Sequence, residues 1–422
     1  MLFKKAVLRN GIRVVSEMHP QSRAVSLGLW VLTGTRDEEP DEAGISHFLE
    51  HLVFKGTRTR SAYQIAKSLE ALGGDLNAYT TREYTVYHCL LLKDHWRKGL
   101  EVLADLVSNM HMTKSDFELE RSVILQEIAM GEDDLEELIY DVYFEKTLPR
   151  SPLGKPILGN VASISDMKMG QVANYYRRKY SGNNIIVSGA GNLDHHDLVV
   201  AVDEFLGHKK KRKFKVDRGH PKHKPIRYVV EKPSEQLHLC MGLPVTSFRD
   251  RMRFDAFIVN ALLGGGMTSK LYQSVREKRG LVYSVYSSLN TFDDFGCINI
   301  YAACDKKNMK AVFKSIGQEI RRLRKHKISE HELEMFKTQV KGAVLLGTDD
   351  VDNRMTSIAV NEMVFGKYKP VEQIIEEIDS VSVKSVNEFV ARYIQPDETA
   401  MVLMGGGAKE LEPWFLEAKV GL

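Results

Sequence analysis

Cysteine is scarce in this sequence, and the few cysteines that are present are scattered. The chain of 422 residues contains Cys89, Cys240, Cys297 and Cys304, and no two of them form a C-x-x-C pair. A disulfide-stabilised scaffold or a cysteine-based zinc site needs cysteines at closer, repeated spacing. The sequence therefore excludes both classes, and we expect four reduced thiols in the core or in strands.

An excess of one charge sign and a long apolar run are also lacking. The formal net charge of +3 is too small to predict a nucleic-acid partner. The most basic segment begins at His208 and runs on through Pro221 and Pro225, which is typical of a solvated connector. No apolar run approaches the roughly 18 residues that a membrane-spanning helix needs. We therefore predict no nucleic-acid partner and no membrane span.

The N-terminal residues are typical of a β-hairpin rather than of a signal or transit peptide. Segments 3–8 and 12–15 are strand-like, and Asn10-Gly11 is a favoured two-residue hairpin turn. Because folded structure is expected almost from the first residue, no presequence is predicted. The expected location is the cytoplasm of a bacterium.

Residues 41–57 read DEAGISHFLEHLVFKGT and contain the most informative motif of the chain. A helix that starts near Glu42 places His47 and His51 one turn apart on one face, where two imidazoles can bind one zinc ion. Glu50 lies three residues after His47, so it leans toward the same ion. The order H-x-x-E-H is the inverzincin signature. The structural alternative is a hydrogen-bonded pair of core histidines beside a surface glutamate.

A catalytic zinc ion usually has three protein ligands and one water, so a third ligand must come from another element. The sequence predicts a helix from Ser115, as its N-cap, to about Glu137. This helix offers Glu118, Glu120 and Glu127. Glu120 and Glu127 lie two turns apart on one face, so spacing alone does not choose between them.

The second half of the sequence repeats the plan of the first. Glu-Leu-Glu at 118–120 recurs at 332–334, and Lys-Pro at 155–156 recurs at 369–370, both 214 residues later. A constant offset indicates duplication of a domain of about 200 residues. We therefore predict two domains and a connector: an N-terminal zinc domain (1–207), a basic linker with prolines (208–226) and a C-terminal duplicated domain (227–422).

The repeat loses the candidate metal ligands in its second copy. At a similar offset, His47 to His51 fall within residues 259–265, which contain no histidine or glutamate, and Glu127 falls on Lys341. A purely structural role for the motif predicts no such difference between the halves, although sequence drift could also produce it. We expect only the first half to bind metal.

Several motifs together resemble the pitrilysin (inverzincin) family of zinc peptidases, and in particular its mitochondrial-processing-peptidase-like bacterial branch. The resemblance runs over nearly the whole chain and rests on His47-Phe-Leu-Glu-His51, Phe54-Lys-Gly-Thr57, residues 73–78 with Thr80, and residues 120–127, 151–159, 276–283 and 354–355. It implies an α+β fold of two duplicated domains, each a mostly antiparallel sheet covered by helices, in a clamshell arrangement. It also implies a homodimer.

The resemblance further implies a role for each site residue. One zinc ion per chain would be bound by His47, His51 and Glu127, with Glu120 as a supporting catalytic carboxylate. Zinc lowers the pKa of its bound water, and Glu50 takes a proton from that water and later delivers one to the leaving amine. The expected function is a zinc-dependent endopeptidase that hydrolyses peptides or unfolded protein segments.

Two further segments are implied to bind the peptide substrate. Asn77 and Ala78 match an edge strand that pairs with the substrate main chain. Arg276 and Tyr283, seven residues apart, match an arginine and a tyrosine directed at the substrate. From the residues alone, an ordinary sheet strand, a helix-end salt bridge and a core tyrosine remain open alternatives.

Two other classes of protein also remain open. A non-catalytic scaffold or assembly subunit of the same family usually lacks the zinc motif, which this chain keeps in one half. A structural zinc protein is less consistent with an open fourth position and with Glu50 beside it. Metal analysis and peptide cleavage by the wild type and by Glu50→Gln distinguish the three classes.

Overall fold

The structure is a computed structural model that describes residues 2–212 and 218–420. Residues 213–217 of the predicted linker therefore lie outside the described residues. The chain divides into two compact units, each built from several segments. Unit 1 comprises Met1–Met130, Lys155–Arg218 and Leu346–Lys369, and unit 2 comprises Gly131–Gly154, Gly219–Leu345 and Pro370–Leu422.

The described residues form strands and helices that alternate along the chain. The strands are β1 (Leu2–Val7), β2 (Arg13–Met18), β3 (Ala24–Val31), β4 (Asp75–Thr80), β5 (Thr85–Leu92), β6 (Ile185–Gly191), β7 (Arg227–Glu231), β8 (Leu237–Val245), β9 (Ser284–Thr291), β10 (Gly296–Cys304) and β11 (Ala400–Gly405). The helices are α1 (Ile45–Val53), α2 (Ala62–Glu70), α3 (Trp96–Asn109), α4 (Lys114–Asp133), α5 (Leu135–Thr147), α6 (Val161–Asp166), α7 (Met169–Lys179), α8 (His195–Leu206), α9 (Arg253–Gly264), α10 (Met309–Lys325), α11 (Glu330–Leu346), α12 (Val351–Phe365), α13 (Val371–Asp379), α14 (Val383–Tyr393) and α15 (Ala408–Glu417). A π-helical turn spans Tyr272–Glu277. Within the described ranges, no helix is both long enough and apolar enough to cross a membrane.

Each unit contains one mostly antiparallel sheet, as the predicted fold class requires. In unit 1 the strand order is β1-β2-β6-β3-β5-β4, and β2 pairs with β6 in parallel. In unit 2 the order is β7-β11-β8-β10-β9, and β7 pairs with β11 in parallel. From β2 onward the first order corresponds to the second strand for strand, so the predicted duplication is confirmed.

The larger core of unit 1 lies between one face of its sheet and a layer of helices. Leu27 and Leu29 of β3 belong to one buried cluster with Phe48 and Leu52 of α1 and with Leu103 of α3. Burying a leucine or phenylalanine side chain contributes about 1.5–3 kcal/mol. The apolar stripe of α1 therefore fixes this helix against the sheet.

The opposite face of the same sheet is covered by α12. Trp30 and Val86 alternate along their strands with the residues of the larger core, so they point to the other side. There they form a buried cluster with Met355, Ile358 and Ala359 of α12. This helix comes from the C-terminal half of the sequence but packs within unit 1.

Unit 2 has the reciprocal arrangement. Ile139 and Tyr143 of α5, which belongs to the N-terminal half of the sequence, cluster with Cys240, Tyr301 and Val402 of the second sheet. The predicted domains assumed that each repeat folds on itself. The compact units differ from that linear division because α5 and α12, which occupy equivalent places in the two repeats, each cover the sheet of the other repeat.

The predicted helix over 115–137 is two helices. α4 begins one residue earlier, where Thr113 Oγ1 accepts the Asp116 N–H at 3.1 Å, so the prediction of Ser115 as N-cap was wrong. α5 begins after Asp134, whose carboxylate accepts two free amides at 3.0 and 3.2 Å. A capping aspartate ends one helix and starts the next.

A buried ion pair connects α12 to the sheet of unit 1. Glu17 of β2 is 0% exposed, and Arg354 donates to its two oxygens at 2.9 and 2.5 Å. Tyr368 donates to the same carboxylate at 3.1 Å, and His19 Nε2 lies 2.8 Å from it. Burial alone would raise the pKa of Glu17, but the hydrogen bonds and charges of Arg354 and His19 outweigh it and lower that pKa.

Replacing Glu17 by Gln is expected to lower the free energy of unfolding by roughly 3–5 kcal/mol at pH 7, because Arg354 then stays buried without its anion. Folding lowers the pKa of Glu17, so the ionised carboxylate stabilises the folded state. This contribution is complete above the unfolded-state pKa and is lost as the pH falls through the folded-state pKa. The difference between variant and wild type in urea denaturation should therefore shrink in acid. An equal difference at pH 7 and at acid pH would contradict this account, and exposed Glu70→Gln is the control.

Candidate metal centre

The start of α1 is fixed by two residues outside the histidine motif. Gly44 has a φ of +86°, and a Cβ there would lie 2.7 Å from the Leu158 carbonyl oxygen. The buried Glu38 carboxylate accepts the N–H groups of Gly44 and Ser46, both at 2.9 Å. The left-handed glycine makes α1 begin at Ile45, three residues after the predicted start.

The three predicted metal ligands lie together in unit 1. One donor atom each of His47, His51 and Glu127 can be chosen so that all lie within 4.8 Å of one another. The His47 Nε2 to Glu127 Oε1 distance is 3.8 Å, and the His51 Nε2 to Glu127 Oε2 distance is 3.6 Å. These separations are too long for hydrogen bonds, whereas two ligands each about 2.1 Å from a tetrahedral zinc ion are about 3.4 Å apart. The donor set fits zinc.

The electrostatics of His47 also suit a metal ligand. Burial, together with the neighbouring His51, lowers the pKa of His47 to about 3. The imidazole is therefore neutral at physiological pH, which is the form that binds metal. The buried Nδ1 of His47 has no hydrogen-bond partner among the described residues. The structural alternative, a core histidine held by hydrogen bonds, therefore does not describe His47.

Glu120 occupies a different place from Glu127. Its carboxylate is buried, with Oε2 at 3.0 Å from His51 Nδ1 and Oε1 at 2.7 Å from Lys55 Nζ. It therefore contacts the ring nitrogen of His51 that points away from Glu127, as an orienting carboxylate does. The sequence analysis gave Lys55 no role in the site; this residue lies just beyond the end of α1, four residues after His51.

Glu50 is a separate carboxylate beside the donor set. It is almost fully buried, and Thr80 donates a 2.5 Å hydrogen bond to its Oε2. Burial raises the pKa of Glu50 and the negative charge of Glu127 adds to the rise, while Thr80 and His51 oppose it. A carboxylate with a raised pKa is suited to accept and return a proton. Thr80 lies two residues after Ala78 in β4, so strand alternation places both side chains on the same face of the sheet. This spacing is the sequence signal for the position of Thr80.

The segment with Asn77 and Ala78 is the edge strand of the sheet. β4 comes last in the strand order, after β5. Asn77 is exposed, and its Oδ1 accepts the N–H of Ala78 at 2.8 Å. An edge strand can pair with an added peptide strand. The substrate role of these two residues stays a prediction.

Arg276 and Tyr283 lie in unit 2. The guanidinium carbon of Arg276 is 4.9 Å from the centroid of the Tyr272 ring and 5.3 Å from that of Tyr283. Tyr283 is 79% exposed, so the alternative of a core tyrosine does not hold. The pair forms an exposed cation–π group whose part in substrate binding stays a prediction.

The sequence of the chain is similar to families and proteins that have been described before. Residues 13–161 match the family described as insulinase (peptidase family M16), and residues 166–340 match the peptidase M16 inactive domain. A protein of Mycobacterium bovis described as an uncharacterized zinc protease is 35% identical over 99% of this chain and 97% of its own. One from Bacillus subtilis, described in the same way, is 32% identical over 96% of this chain and 98% of its own.

Solved structures share the fold. A protease from Helicobacter pylori gives a TM-score of 0.90 at 20% identity, covering 96% of this chain and 99% of that chain. A peptidase M16 inactive domain from Pseudomonas fluorescens gives 0.89 at 18% identity, covering 96% of this chain and 98% of that chain. Since the matches to the zinc proteases exceed 30% identity over nearly the full length of both chains, this chain belongs to the M16 (insulinase/pitrilysin-like) peptidase family.

Proposed function

We propose that this protein is a zinc-dependent, processing-peptidase-like endopeptidase that hydrolyses peptides or unfolded protein segments. The observation that carries the proposal is the convergence of His47, His51 and Glu127 beside a separate buried carboxylate, Glu50. Relatives described as zinc proteases support a peptidase. The separate carboxylate favours a catalytic over a purely structural metal.

His47, His51 and Glu127 would hold one zinc ion per chain. When bound, the ion would polarise the scissile carbonyl and lower the pKa of a water molecule. Glu50 accepts a proton from the attacking water and passes one to the leaving amine nitrogen. Thr80 holds the Glu50 carboxylate in place through its 2.5 Å hydrogen bond.

Glu120 and Lys55 would act through His51 rather than on the substrate. The Lys55 ammonium fixes one oxygen of Glu120, and the other oxygen fixes the ring of His51. Such outer carboxylates set the orientation and basicity of a histidine ligand. These two side chains are positioning residues for the donor set.

The substrate main chain would add as a strand to the free edge of β4. The N–H of Ala78 is bonded to the Asn77 side chain, which a substrate carbonyl would replace. Main-chain pairing accepts many sequences and suits extended or unfolded substrates. We propose Arg276 and Tyr283 as further substrate contacts.

A non-catalytic scaffold of the same family is the second candidate. It is favoured by the match of residues 166–340 to a domain described as inactive. The predicted homodimer, the clamshell arrangement and the location in a bacterial cytoplasm stay predictions.

Exchanging Glu50 for Gln is expected to lower cleavage of unfolded casein by about 10²–10⁴-fold, because the proton acceptor is lost. Zinc content, measured by elemental analysis, should stay at the wild-type level. Glu118→Gln, an exposed carboxylate of α4, is the matched control and should leave both quantities unchanged. Wild-type protein without cleavage and without bound metal would identify a scaffold, and metal without cleavage, with unfolding by a chelator, would identify a structural zinc site.

The two glutamates of α4 should differ in their effect on metal affinity. Glu120→Gln weakens the orientation of His51 and is expected to lower zinc affinity by roughly 10–100-fold. Glu127→Gln removes a direct ligand and should lower it further. Competition with a chromophoric chelator measures the zinc affinity of both variants. A larger loss of affinity in Glu120→Gln than in Glu127→Gln would identify Glu120 as the direct ligand.

Ala78→Pro should raise KM for peptides with unchanged zinc content, because proline removes the edge N–H that a substrate carbonyl would accept. Asn77→Ala is the companion variant, since it frees the same N–H and should not raise KM. Steady-state kinetics on a fluorogenic peptide gives both values. An unchanged KM in the proline variant would exclude main-chain pairing at this position.

A further inference from the structure

We propose that unit 2 contains a binding site for a small molecule that carries a phosphate ester next to an apolar group. The site is a cavity of about 480 Å³ bounded by α9, the π-helical turn, the end of α10 and the beginning of α11. It shares no residue with the candidate metal centre. The proposal does not rest on the proposed peptidase function.

Two hydroxyl groups without partners line this cavity. Ser269 is 0% exposed, and in the described chain neither its Oγ nor that of Ser274 has a hydrogen-bond partner. A buried hydroxyl without a partner costs about 1–3 kcal/mol. Leu262, Leu323 and Ile328 supply apolar wall beside them. The cavity therefore combines unused donors with an apolar surface, as small-molecule sites do.

The acidic residues of the cavity are already paired. Glu319 lies 2.7 Å from Arg322, on the next turn of α10. Glu332 pairs with Lys270 and also accepts the Ser329 N–H and hydroxyl at 3.3 and 3.1 Å. Neither carboxylate is left to bind a cationic ligand.

The basic residues of the cavity outnumber these acids. Lys278, His326 and Lys327 line it as well, and none of the three has an ion-pair partner within the described ranges. Ammonium groups and hydroxyls together are donors for an oxyanion, and charge-assisted hydrogen bonds are the stronger ones. The surplus of positive charge therefore favours a phosphate group.

The equivalent place in unit 1 has a different set of charged side chains. There α3, the counterpart of α10, presents Glu101 and Asp105, and Arg60 from the segment before α2 pairs with both, at 2.5 Å from Asp105. In unit 2 the segment before the π-helical turn contains Thr268 and Ser269 instead of an arginine, and α10 ends in the basic run 321–327. The same part of the fold therefore contains two acids paired with one arginine in unit 1 and a surplus of basic side chains in unit 2.

The last three residues of the glycine-rich segment 264–270 line the cavity. The segment's residue order, Gly-Gly-Gly-Met-Thr-Ser-Lys, differs from that of a phosphate-binding P-loop. The proposal therefore depends on the hydroxyls and ammonium groups named above and not on a nucleotide motif.

Isothermal titration of the full-length protein with three probes tests this site. Phenyl phosphate, which has both an oxyanion and an apolar ring, should bind more tightly than inorganic phosphate, and benzylamine should not bind. Absence of phenyl phosphate binding, or tighter binding of benzylamine, would overturn the proposal. Equal affinity for phenyl phosphate and inorganic phosphate would overturn its apolar part.

Variants locate the binding. Lys278→Ala and Lys327→Ala should each weaken phenyl phosphate binding about tenfold, the loss of one charge-assisted hydrogen bond. Lys325→Ala removes the same charge from the end of α10 at a position outside the cavity lining and should leave affinity unchanged. Equal losses in all three variants would show non-specific attraction and reject the site. Circular dichroism confirms that each variant is folded, and none of these readouts depends on metal or cleavage.

Discussion

The packing of α1 against the sheet of unit 1 is the constraint on which the candidate metal centre depends. Phe48 and Leu52 are buried on one side of the helix, which leaves His47 and His51 to face α4 on another. Glu38 fixes the first turn of α1 through two amide hydrogen bonds. Apolar burial and the cap at Glu38 thus set the position of the helix that carries both histidines.

Helix periodicity was enough to predict that His47, Glu50 and His51 lie near one metal ion, because these residues belong to one helix. Helix periodicity could not decide whether Glu127 or Glu120 is the third ligand, because both lie on one face of α4. Only the position of α4 relative to α1 shows which of the two carboxylates is near both histidines. The same limit applied to Thr80, which reaches Glu50 from a different element. The fold class and the duplication followed from strand patterns and a constant offset. The place of α12 depended on a sheet whose strands lie far from it in sequence, with contacts from Val15 to Ala190.

The two repeats show how one fold supports different chemistry. In unit 1 Arg60 pairs with Glu101 and Asp105 of α3, and the metal ligands lie on α1 and α4. In unit 2 the ligand positions are lost, and the space beside α10 is open and lined by lysines. The five strands that the two sheets share keep their order, and the chemical divergence lies in the side chains of the helical layer.

The exchange of α5 and α12 has a consequence for biosynthesis. Trp30 and Glu17 face α12, so the first sheet stays uncovered on that side until the ribosome has made Leu346–Lys369. A fragment cut within 208–226 would present this apolar face to water and would be prone to aggregate. Because each repeat supplies a helix that covers the sheet of the other, the two repeats are expected to fold together and not one after the other.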